Sequence, residues 1–124
     1  MAIAPKVLVI EDDALIANEL QTIVLELGCE CIGPVMEFEE ALRLAKTADV
    51  DCALVNLILQ DKPAYPIAEA LAARAIPFGF ASGVFQTGIP PEWSDRPFLD
   101  KPYGMASVQR LVEVVLGRVL QSSS

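Results

Sequence analysis

The chain has 124 residues, 53% of them apolar, with 17 acidic against 9 basic residues and a net charge of −8. That length predicts one domain with a full core, and the apolar fraction excludes a disordered acidic tail. The acidic balance argues against nucleic acid or an anionic membrane as partner, and the lack of any histidine removes His-based acid–base catalysis, a Ser-His-Asp triad, a phosphohistidine carrier and His-rich zinc sites.

Residues 6–10 are a Val- and Ile-rich run that predicts a strand buried on both faces. Glu11, Asp12 and Asp13 follow at once, unlike a signal peptide, so the expected location is the cytoplasm. Ile16, Leu20, Ile23, Val24 and Leu27 recur at helical spacing, with Asp13 as a candidate N-cap and Gly28 just past the end. Residues 29–35 alternate weakly and read as a strand broken by Gly33 and Pro34. Phe38, Ala41, Leu42 and Ala45 predict a second helix whose start is poorly signalled. Residues 51–57 repeat the buried-strand pattern, 64–74 form an alanine-rich helix with Ile67 and Leu71 inward, and 76–81 form a fourth strand.

Gly83, Gly88, Pro90 and Pro91 then predict an irregular loop over 82–96, with room for one turn and a fourth helix that is short or missing. Three prolines and three glycines within 76–93 exclude a membrane helix there. Residues 98–100 read as a short fifth strand, 105–120 as a last helix, and 122–124 as a frayed tail beyond a domain spanning 1–121. Strand–helix alternation of this kind predicts an α/β fold with a doubly wound parallel sheet. On the last helix Val108, Leu111, Val112, Val114, Val115, Leu116, Val119 and Leu120 spread apolar positions over roughly 240° at 100° per residue. So wide a face predicts a homodimer through that helix, the alternative being a helix wrapped by its own loop. Cys29, Cys31 and Cys52 form no C-x-x-C and read as reduced packing residues.

Sites in open α/β sheets form at the carboxyl ends of the strands. Here the first strand stops at Glu11 and Asp12, the third at Asn56, the fourth at Ser82 and the fifth at Lys101 and Pro102. Adjacent carboxylates are hard oxygen donors suited to a magnesium ion that keeps several waters. The chain has neither G-x-G-x-x-G nor a P-loop, which argues against a flavin or nucleotide.

Val7 to Ile10 running into Glu11, Asp12 and Asp13, Ala53-Leu54-Val55-Asn56-Leu57, Phe80-Ala81-Ser82-Gly83, and Phe98-Leu99-Asp100-Lys101-Pro102 together resemble a known family. It is the receiver domain of bacterial two-component response regulators, in its single-domain form, and the resemblance covers nearly the whole chain. It implies a flavodoxin-like five-stranded sheet of order 2-1-3-4-5 and a non-enzymatic phosphoprotein of phosphorelay signalling. Glu11 and Asp12 would bind magnesium together with position 56 and the backbone carbonyl of Ile58. Position 56 would take a phosphoryl group from a histidine kinase or phosphotransfer protein. Ser82 would give a hydroxyl to the phosphoryl oxygens, Lys101 a cation that neutralises developing charge, and Phe98 the aromatic that moves on activation. The Lys101-Pro102 bond would be cis.

The sequence departs from that pattern at three places. Asn56 stands where the family has the phosphoacceptor aspartate. An amide is not that nucleophile, and it removes an anion, so phosphorylation is expected to be blocked and magnesium affinity weakened. Two readings fit: a receiver that has lost phosphorylation and acts as a protein-docking module, or an ordinary receiver altered at this position. Gln60 stands where the family commonly has proline, in a loop without the usual Asp-Gly turn. The weak fourth helix leaves open how the site reaches a downstream protein target, with the apolar last helix as one candidate.

Overall fold

Side chains alternate across each central strand, so one sheet covered on both faces builds two separate cores. The computed structural model describes residues 4–82, 91–93, 96–100 and 104–117, with the side chains of 82 and 98–100 outside the description. In chain order the elements are β1 (Lys6–Ile10), α1 (Ala14–Glu26), β2 (Glu30–Val35), α2 (Phe38–Thr47), β3 (Cys52–Asn56), β4 (Ile58–Leu59), β5 (Lys62–Pro63), α3 (Tyr65–Ala73), β6 (Phe78–Ser82), a 3-10 turn (Pro91–Trp93), β7 (Phe98–Asp100) and α4 (Met105–Leu116). Strands β2, β1, β3 and β6 lie side by side and parallel in that order, and β7 pairs parallel with the free side of β6. No described helix is long and apolar enough to cross a membrane.

Leu8 and Ile10 of β1, Ala53 and Val55 of β3, and Phe78 and Phe80 of β6 face α2 and α3. Val7 and Val9, Cys52 and Leu54, and Ala81 face α1 and α4. The near-unbroken apolar strands of the sequence thus belong to a doubly covered sheet. Gly79 lies where a Cβ would come within 3.0 Å of Leu111, so its missing side chain lets α4 pack directly on β6. Trp93 enters the α2–α3 core with its ring 5.8 Å from that of Phe78, and the Arg96 guanidinium lies 4.5 Å from the Phe78 ring. The expected short or missing fourth helix falls mainly on 83–90 and 94–95, outside the described residues.

Two expectations need correction. Strand β2 is not broken at Gly33 and Pro34 but runs through them to Val35. It is an edge strand, where proline is tolerated, and Gly33 takes φ +102°, with its Cα so close to β1 that a Cβ would sit 2.8 Å from the Val9 carbonyl oxygen. The Gly33-Pro34 peptide bond is cis. The last helix ends at Leu116 rather than 120, because Gly117 turns left-handed at φ +74° and gives its N–H to the Glu113 carbonyl at 2.8 Å. Val108, Leu111 and Val112 are buried there while Val114 is 61% exposed, so only part of the helix's apolar face meets the chain's own core. Finally, the loop that carries Gln60 is an ordered one. It contains the β4–β5 hairpin, with Gln60 and Asp61 at φ +51° and +64°, the two positive values of a tight two-residue turn.

Two further contacts tie the helices down. Asp13 caps α1, its Oδ1 accepting the N–H groups of Leu15 at 3.0 Å and Ile16 at 3.2 Å. Arg74, just after α3, donates from Nη1 to the Ala45 carbonyl at 3.0 Å and from Nη2 to the Ala48 carbonyl at 2.7 Å, satisfying the end of α2. Arg74→Ala is expected to lower the denaturant midpoint by an amount equivalent to about 1 kcal/mol with no change in slope. None of the three cysteines forms a disulfide, and burial pushes the Cys31 thiol up to about 11 from 9.0. The folded chain therefore keeps a proton that the unfolded chain gives up, and stability should fall as pH rises from 9 toward 11. In the same window Cys31 should alkylate roughly tenfold or more slowly in the folded than in the urea-unfolded chain.

Candidate functional site

The register of β1 on β3 pairs Ile10 with Val55, so the next residue of each strand, Glu11 and Asn56, emerges at the same carboxyl edge. Both are enclosed: Glu11 is 0% and Asn56 6% exposed. A carboxylate at that depth requires polar partners. Its Oε2 accepts the Asp13 N–H at 3.1 Å and the Asn56 Nδ2 amide at 3.0 Å. The same Nδ2 donates to Asp12 Oδ1 at 3.0 Å, and Asp12 Oδ2 accepts the Gln60 N–H at 2.9 Å. Three consecutive acids thus divide the work: Glu11 and Asp12 meet at Asn56, and Asp13 caps α1. The opposite amide orientation would set a carbonyl oxygen 3.0 Å from two carboxylate oxygens, so electrostatics alone selects the nitrogen.

Two carboxylates at a strand end are suitable chemistry for magnesium. As arranged, however, the space between them holds the two hydrogens of the Asn56 amide, and an N–H donor is not a ligand. These residues do not fit the ion in this arrangement, because admitting it requires both amide hydrogen bonds to break and the amide to turn over. Among the described residues no group of three or more His, Cys, Asp or Glu side chains is disposed to hold a metal. Ile58 starts the β4–β5 hairpin just beyond Asn56, paired with Pro63.

The structure therefore brings together Glu11, Asp12 and Asn56. Ser82 ends β6 and Phe98 begins β7, with Phe80 paired to Phe98 and Ser82 to Asp100 along the backbone. Their side chains, and Lys101 and Pro102 entirely, lie outside the described residues. Gln60 also belongs to the site, a role that the sequence alone does not signal. Beyond its bond to Asp12, its Oε1 accepts the Phe38 N–H at 2.7 Å. This bond caps α2, whose N-cap residue Glu37 makes no side-chain capping bond. Two oddities of the sequence, a poorly signalled start to α2 and a glutamine in place of proline, were the two halves of that one contact. Proline could supply neither the N–H nor the positive φ.

No family model and no curated protein matches the sequence. Solved structures do. SdrG from Sphingomonas melonis Fr1 is 33% identical, with 94% of this chain and 99% of that chain covered and a TM-score of 0.82. The receiver domain of the sensor histidine kinase PA1611 from Pseudomonas aeruginosa PAO1, a structure with magnesium coordinated in its active site cleft, is 20% identical over 93% of this chain and 99% of its own, at TM-score 0.80. A CheY-like response regulator receiver domain from Methylobacillus flagellatus is 24% identical over 91% and 99%, at TM-score 0.75. With the acid pair at the end of β1, the parallel α/β fold and a 33% identical relative covered almost end to end, the chain belongs to the response regulator receiver domains.

Proposed function

We propose that this chain is a receiver domain of phosphorelay signalling whose phosphoacceptor position is blocked by Asn56. Its expected partners are a histidine kinase or phosphotransfer protein upstream and a protein target downstream, in the cytoplasm and without enzymatic turnover of its own. The observation that carries the reading is the Asn56 amide, 3.0 Å from both Glu11 Oε2 and Asp12 Oδ1 at the end of the third sheet strand. Accepting phosphoryl requires an anionic oxygen that forms an O–P bond as the N–P bond of a phosphohistidine breaks. The amide offers no such anion, and its nitrogen spends both hydrogens on the acid pair. Magnesium binding is weakened for the same reason. By the family resemblance, Ser82 and Lys101 would complete the site around a phosphoryl group, with Phe98 as the residue that responds.

The alternative is a docking module that works without phosphorylation. It draws support from the same two hydrogen bonds, which hold the acid pair together without a cation.

Asn56→Asp separates the two. With magnesium and a small acyl phosphate donor, the substituted chain should label at position 56 and bind magnesium more tightly, while the parent chain does neither, as read by intact mass and amide shifts. A substituted chain that folds yet neither binds nor labels would leave the docking module as the function. Without a divalent cation, Asn56→Asp should also destabilise the fold by about 2–4 kcal/mol at pH 7, because a third carboxylate replaces the donor beside a buried one. Added magnesium should restore much of that loss in chemical denaturation.

A further inference from the structure

The contacts of Gln60 reach in two directions from one residue. Its backbone N–H holds Asp12 Oδ2 at 2.9 Å, while its side-chain Oε1 holds the first N–H of α2, at Phe38, at 2.7 Å. The other oxygen of Asp12 is held by Asn56. Gln60 sits at φ +51°, a conformation uncommon outside glycine and asparagine, in a turn of only two residues, so it has little freedom to follow one partner without moving the other. The hairpin is fastened again on its far strand, where Lys62 Nζ lies 5.1 Å from the centre of the Phe38 ring. Phe38 itself is buried in the same core as Leu59 of the hairpin and as Leu57, Ala64 and Ile67 on either side of it in sequence.

From this geometry we infer that Gln60 is a positioning residue that couples the carboxylate of Asp12 to the N-terminus of α2, so that a change at the acid pair is felt at the start of α2. The inference does not depend on whether position 56 can take phosphoryl. A simple helix cap would hold Phe38 but would be indifferent to Asp12. A coupling residue makes the two ends respond together.

The test is native-state hydrogen exchange of the Phe38 amide by NMR, on the full chain. Gln60→Ala, which keeps the backbone N–H and removes the side-chain acceptor, should speed exchange at Phe38 about fivefold, and Gln60→Glu, which keeps an acceptor, should restore protection. Asp12→Ala should speed Phe38 exchange in the parent chain but add nothing when Gln60 is already alanine. Asp12→Asn, which preserves shape, serves the same purpose if Asp12→Ala does not fold, with a smaller effect in the same direction. Phe38 exchange unmoved by either Asp12 substitution, or effects that simply add in the double variant, would overturn the coupling and leave Gln60 as a cap alone. None of these readouts involves phosphoryl transfer, so their failure is distinct from failure of the receiver reading.

Discussion

One amide nitrogen holds two carboxylates together at the carboxyl edge of the sheet. Glu11 is fully enclosed, and a buried anion is tolerable only where donors converge on it. Asn56 supplies a donor to Glu11 and to Asp12 at the same distance, 3.0 Å. The ends of β1 and β3 are thereby tied by side chains as well as by the backbone ladder. A divalent cation between two carboxylates performs a similar task with far more charge, and the two solutions exclude each other in the same space. The amide brings only partial charges, so it relieves the mutual repulsion of the acids without cancelling it.

The rest of the site hangs on the hairpin that follows Asn56. The Leu57 N–H goes to the Ala81 carbonyl at 3.0 Å and the Ala64 N–H returns to the Leu57 carbonyl at 2.9 Å, closing the excursion. Between those anchors Gln60 reaches Asp12 on one side and α2 on the other. The surface nearest the acid pair is therefore mechanically continuous with α2, an element on the opposite face of the sheet from α1 and α4. On that same face Trp93 fills space against Phe78 and Arg96 lies over the ring. Packing on this side is thus secured by aromatic and hydrogen-bonded contacts at both ends of the core.

Membership of the receiver family makes the departures informative, because each can be weighed against a fold that is otherwise kept. The sheet order around β1 and β3 is that of the fold. By the resemblance of the sequence to receiver domains, the expected differences lie at position 56 and at Gln60, and these two residues hold the two oxygens of the same carboxylate, Asp12. An alteration confined to position 56 would account for the first bond only. The second requires a turn with two positive φ values and a glutamine placed within reach of Phe38.

Much of this was legible in the residues themselves. Helical spacing in α1 and α3, continuous apolar strands and the cap at Asp13 are local signals, set by periodicity and by side-chain chemistry within a few residues of their effect. The acid pair and Asn56 could be named as site residues because sheets of this class gather their polar groups at strand ends. Other features depended on contacts between residues far apart in the chain. That β2 runs through Gly33 and Pro34 follows from its place at the sheet edge. That Asn56 presents its nitrogen rather than its oxygen is decided by two carboxylates brought up by another strand, 45 and 44 residues away. That Gln60 caps α2 is decided by a bond spanning 22 residues. The sequence by itself determined which groups stand at the edge of the sheet; only the tertiary structure decided which of them touch, because hydrogen bonding is set by distance in space and not along the chain.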